Sequence, residues 1–219
     1  KNKEEVRSKI SSAMHFVMVI AFPCMIGYIV LASPIMQLLF HDAREMPEYM
    51  MQLGAVSIVF YSISTLSNGI LQGINRMVIP VRNAIIALIA HIGFLLVMMK
   101  VFDLNIYAVV LATAFFALLM CILNGISVQR YSRYKLNVMK TFVKPAAASV
   151  IMGAVVWVLY HFGMKVVASN IIWTIVAIIV GILVYGIAIL VLRDFTEDEL
   201  KSFPKGSTLL RIAKKFHLM

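Results

Sequence analysis

The sequence predicts an all-α membrane protein with six transmembrane helices, and three observations carry that prediction. Six apolar runs each approach the roughly 20 residues that a spanning helix needs. The chain of 219 residues is 62% hydrophobic and only 14% charged, with a mean hydropathy of +0.92. Soluble domains are about half apolar and about a quarter charged. The third observation is the placement of the cations. Of the 20 Lys and Arg residues, 17 fall in the first, third, fifth and last gaps between runs, leaving Arg44, Lys100 and Lys165 in the others. That bias marks a polytopic membrane chain and orients it with both ends in the cytoplasm.

Each run has its own texture. Residues 1–13 read as a cytoplasmic arm. The first run, Met14 to Phe40, carries Pro23, Gly27 and Pro34. An interior proline removes a backbone donor and clashes with the preceding turn, so this helix is expected to kink. Its length exceeds a hydrocarbon core of roughly 30 Å, so it is expected to tilt or bend. A polar outer loop, His41 to Tyr49, follows. The second run, Met51 to Ile74, holds Ser57, Ser62, Ser64, Thr65, Ser67, Asn68, Gln72 and the pair Gly69/Gly73. Small and hydroxylated residues suit close helix packing, or one wet face. A cytoplasmic turn around Pro80 leads to the third run, Val81 to Met99, interrupted by Asn83 and His91. After an outer turn at Phe102 to Asn105, the fourth run, Ile106 to Val128, contains Thr113 and Asn124.

Residues 14–128 thus supply four spans, and 129–144 a basic cytoplasmic loop with interfacial Tyr131 and Tyr134. Two further spans occupy 145–192: Pro145 to Phe162, then Ile171 to Leu192, apolar all round as suits lipid contact. In the cytoplasmic tail, 193–219, Thr196-Glu197-Asp198-Glu199 reads as a capping box, and Leu209 to Leu218 as a basic amphipathic stretch.

Composition also narrows the function. The net charge of +10 sits beside span ends, where it faces anionic lipid rather than nucleic acid. Cys24 and Cys121 lie inside apolar runs and read as small hydrophobes, with no disulfide framework or metal spacing. All ten acidic residues lie outside the spans, so these runs offer no carboxylate relay for ion coupling. The five histidines are scattered, which argues against an enzyme and against any cofactor. No initiator Met precedes Lys1, and a longer protein is expected.

The candidate pathway residues are the polar interruptions: Asn68, Gln72, Asn83, His91 and Asn124, with Arg76 and Arg82 at the inner mouth. Inner arginines are expected for topology alone. They also suit a phosphate-bearing ligand, because guanidinium offers bidentate donors. A mid-membrane His is either bonded to a neighbouring helix or open to a cavity.

Several stretches carry a resemblance. They are Ala21-Phe22-Pro23-Cys24-Met25-Ile26-Gly27, Leu31-Ala32-Ser33-Pro34-Ile35, Leu38-Leu39-Phe40, the turn Asn75-Arg76 with Ile79-Pro80-Val81-Arg82-Asn83, and Ala108-Val109-Val110-Leu111-Ala112-Thr113. With the tail Glu197-Asp198-Glu199-Leu200 and Phe203-Pro204-Lys205-Gly206, they span the chain in order. The sequence resembles the multidrug/oligosaccharidyl-lipid/polysaccharide exporter superfamily, in its stage V sporulation protein B-like and lipid II flippase-like branches.

The resemblance implies the C-terminal part of a fourteen-helix, two-lobed flippase bundle. Four spans would complete the second lobe, and the last two would form a groove for a polyprenyl tail. It implies alternating-access movement of an undecaprenyl-pyrophosphate-linked glycan, in a monomer that includes a preceding portion. The partners would be membrane lipids and that substrate. Some members bind sodium on the third and fourth helices of this stretch. Thr113 matches the hydroxyl ligand, but His91 and Leu95 stand where oxygen donors are expected, which argues against a hard cation there. A multidrug exporter of the same superfamily and a non-transporting membrane scaffold are the rival readings.

Overall fold

Four of the five prolines among the described residues stand where a helix starts. The computed structural model describes residues 2–40, 45–133 and 137–192. In chain order these form α1 (Asn2–Val30), α2 (Ala32–Phe40), α3 (Glu45–Ala55), α4 (Ser57–Gly73), α5 (Val78–Lys100), α6 (Asn105–Ser132), a π-helical turn (Met139–Val143), α7 (Lys144–Val166) and α8 (Asn170–Val191). Pro34, Pro47, Pro80 and Pro145 lie in the first turns of α2, α3, α5 and α7. There the missing N–H has no intrahelical role to lose. Pro23 is the one proline among the described residues that sits in a helix interior.

Six helical stretches are long and apolar enough to cross a membrane: Glu4–Val30, Glu45–Gly73, Val78–Lys100, Asn105–Ser132, Met139–Val166 and Asn170–Val191. The second joins α3 to α4 across a break at Val56, and the fifth joins the π turn to α7. Helix extends further than the apolar runs do. α1 starts at Asn2, with Glu4 and Glu5 in its first turn, where carboxylates complement the helix dipole. A Lys9–Glu5 pair at 2.8 Å adds i,i+4 support. Likewise Glu45 and Glu48, expected in a loop, lie in the first turn of α3. The first run is not one bent helix, because a break at Leu31 separates α1 from α2. The π turn widens the backbone just ahead of Pro145: the Lys144 N–H reaches Met139 O, so the ring meets a loosened turn. The capping box at Thr196, the stretch Leu209–Leu218 and Tyr134 lie outside the described residues.

α6 packs against α4 and α5, α7 pairs with α8, and α1 joins the two groups. Met14, Met18 and Ala21 of α1 bury against Val59 and Ile63 of α4. Further along, Leu31 meets Met152, Val156 and Ala177. α7 makes its contacts through glycines. A Cβ on Gly153 would stand 2.5 Å from Ile26, and one on Gly163 would run into the Trp173 ring. Outward faces of α5 and α8 stay apolar and exposed, with Ile85, Ile89, Leu96, Ile175, Ile178 and Ile182. Such a belt would associate in water and is suited to lipid.

Candidate functional site

A connected group of buried polar side chains lies between α4, α5 and α6. Asn124 is fully buried on α6, and Asn83 on α5 is 2% exposed. The Asn83 amide donates to Asn124 Oδ1 at 2.9 Å and to Ser127 Oγ at 3.2 Å. Asn124 Nδ2 donates in turn to Asn68 Oδ1 at 2.7 Å and to Ser64 Oγ at 3.2 Å. Three helices are therefore tied by four side-chain bonds, most of them buried. Asn68, half-buried, forms the open edge of this cluster. Ser64 and Ser127 belong to it as well. Ser127 carried no signal in the sequence, since one serine on an apolar helix usually bonds its own backbone.

Four residues beyond Asn68 stands the exposed Gln72, and four beyond that Arg76. The i,i+4 spacing keeps Asn68 and Gln72 on one face of α4. The helix then ends in a Schellman motif: Asn75 takes φ 60°, its N–H reaches Gln72 O at 3.0 Å, and the Arg76 N–H reaches Leu71 O at 2.8 Å. Asparagine tolerates the left-handed region better than most residues, so it substitutes for the usual glycine. The turn lays the Arg76 guanidinium over the Tyr131 ring, 5.0 Å from its centroid. Arg82, in the first turns of α5, is exposed. At the same end of the bundle, Arg7 Nε donates to Ser132 O at 3.2 Å, capping the close of α6.

His91 lies two turns from Asn83 on α5. Its Nδ1 is 2.8 Å from Ala112 O on α6, and its ring meets Phe116 edge-on with centroids 5.8 Å apart. Phe116 in turn contacts Tyr61. Tyr61 faces a cavity of about 780 Å³ bounded by α2, α3, α4 and α6, with Thr113 on its wall. The Thr113 hydroxyl donates to Val109 O at 2.8 Å, within its own helix. Asn68, Asn83 and Asn124 are thus brought together, while His91 and Thr113 lie further along the bundle and Gln72, Arg76 and Arg82 lie at its basic end.

A second cavity, about 690 Å³, opens between α1, α7 and α8. Its walls are apolar, with Pro23, Gly27 and Ile35 on one side and Val156, Ile178 and Ile182 on the other. Tyr185 closes one end of it, donating from Oη to Val19 O at 2.6 Å. Toward the other end, Asn170 Nδ2 donates to Pro34 O at 3.0 Å and its Oδ1 accepts from Tyr160 Oη at 2.9 Å. Side-chain bonds from α8 therefore reach both proline-containing segments of the first span.

No curated protein and no solved structure matches this chain. A family model does: the one described as MurJ, lipid II flippase MurJ, matches residues 1–177, which take in the polar cluster, the arginine turn and most of the groove. With six helices among its described residues long and apolar enough to cross a membrane, and a family match over most of its length, the chain is a multi-pass membrane protein that belongs to the MurJ family of lipid II flippases.

Proposed function

We propose that these spans are the C-terminal part of a flippase. It moves an undecaprenyl-pyrophosphate-linked glycan, lipid II in the first instance, across the bacterial inner membrane by alternating access. Both ends of the segment lie in the cytoplasm. The observation that carries this reading is a division of surfaces within one bundle. The groove between α1 and α8 offers a predominantly apolar wall, which suits an isoprenoid chain. The end bearing Arg76 and Arg82 offers exposed guanidinium groups, which suit pyrophosphate. A substrate with a long hydrocarbon tail and a doubly anionic head needs both.

On this reading Asn68 and Gln72 form the near wall of the head-group path. Asn83, Asn124 and His91 hold α4, α5 and α6 as one moving unit, since their bonds link helices to one another. The family's members are transporters, and no bond of the substrate is broken in this mechanism.

Removing both arginine charges, as Arg76→Gln with Arg82→Gln in the full-length protein, is expected to abolish complementation of a flippase-deficient strain at unchanged protein level. Wild-type growth in that strain would take the pair out of the mechanism. Vesicles carrying a fluorescent lipid-linked sugar, read by an external enzyme, separate this reading from its rivals. A multidrug exporter or a scaffold leaves the sugar where it started.

A further inference from the structure

Pro23 has no N–H, so the carbonyl four residues earlier, that of Val19, loses its helical partner. In a membrane no water replaces that partner, so the carbonyl is left to find a donor within the protein. The structure supplies a donor from another helix, the Tyr185 hydroxyl of α8, at 2.6 Å. The same two residues line the end of the apolar groove, and the groove wall continues through Pro23 and Gly27. Beyond this bond, α1 and α8 meet only over a short stretch around Val19 and Ile189, and α7 packs against both.

We infer that Tyr185 is a positioning residue for the lipid groove: its hydroxyl caps the carbonyl released by Pro23, and in doing so fixes the place of the first span against α8 and the width of the groove between them. The inference rests on the groove reading given above and adds to it the side chain that sets the groove's shape. It makes a demand that ordinary packing does not. The hydroxyl matters only while residue 23 is proline, since any other residue there supplies an N–H to Val19 O.

A double-mutant cycle in the full-length protein tests this. Tyr185→Phe keeps the ring and removes the hydroxyl. Pro23→Ala restores the intrahelical donor. Tyr185→Phe is expected to lower the melting temperature by roughly 2 to 4 °C when residue 23 is Pro and to have little effect when it is Ala. Cys24, exposed on the groove wall, reports its shape directly. In a Cys121→Ser background, its labelling by a membrane-soluble maleimide is expected to change about fivefold on Tyr185→Phe, as the loss of one hydrogen bond of roughly 1 kcal/mol allows.

Equal destabilisation in both backgrounds, or none in either, would overturn the capping role. An intact cycle with an unchanged Cys24 rate would overturn the positioning role. Neither readout involves substrate. A positive result in a protein that moves no lipid-linked sugar therefore counts against the transport proposal alone.

Discussion

Replacing Gly163 by alanine is expected to unpack the α7–α8 hairpin. The added methyl would fall within the Trp173 ring, against Cδ2, Cε2 and Cε3. Rigid aromatic atoms cannot give way as the end of a flexible side chain can. The ring is also held from the other side, because Trp173 Nε1 donates to Val167 O at 3.0 Å. Either the indole swings away and loses that bond, or the two helices separate. Overpacking of this kind costs about 1–3 kcal/mol, and loss of the bond adds about 1 kcal/mol. The purified protein in detergent should melt several degrees lower, with a shift in Trp emission as the indole leaves its site. Combining Gly163→Ala with Trp173→Ala should cost less than the two changes summed, since removing the ring removes the obstacle. An unchanged melting temperature together with unchanged emission would refute the close contact.

Asn124→Leu should have the second large effect, at the other side of the molecule. Asn124 takes part in three bonds of the buried cluster, to Asn68, Ser64 and Asn83. Leucine removes all three and leaves the amide of Asn83 and the oxygens of Asn68 and Ser64 to find new partners among apolar side chains. Interhelical bonds within membranes contribute about 0.6 kcal/mol on average and up to about 2 kcal/mol each, so a total near 2 kcal/mol is expected. Asn83→Leu, which removes two bonds, should cost less. The double substitution should fall short of the sum, because one bond is common to both. Thermal melting with limited proteolysis of the α5–α6 turn measures this, and strict additivity would show that the two amides do not interact.

The spans were legible because membrane crossing demands apolar length, and length is what a sequence displays most directly. Their ends were less so. Glu4, Glu5, Glu45 and Glu48 are polar and read as loop, yet carboxylates in a first turn favour helix, and the chain uses them that way. The need for an outside donor near Pro23 was legible, since a missing N–H is a property of one residue, although α1 runs through it from Asn2 to Val30. The break at Leu31 has the same local origin, since Pro34 has no N–H for the carbonyl of Val30, yet two prolines in one run do not say which of them divides the helix.

For the site, Asn68, Asn83 and Asn124 stood out as amides in apolar runs, and their polarity alone required partners. Which partners they took is a matter of helix rotation, which a span too apolar to show a polar face does not encode. Tyr185 is the clearest instance. The sequence states that Val19 needs a donor, and nothing local says that it comes from 166 residues away.

The contact between His91 and Ala112 decides a question of proton location. A carbonyl oxygen has no hydrogen to give, so Nδ1 must carry one and donate it. In the neutral ring this fixes the tautomer and leaves Nε2 as a bare lone pair. The hydrogen that joins α5 to α6 therefore sits on the nitrogen nearer Ala112, and the opposite edge of the imidazole is an acceptor, able to take a bond but not to give one.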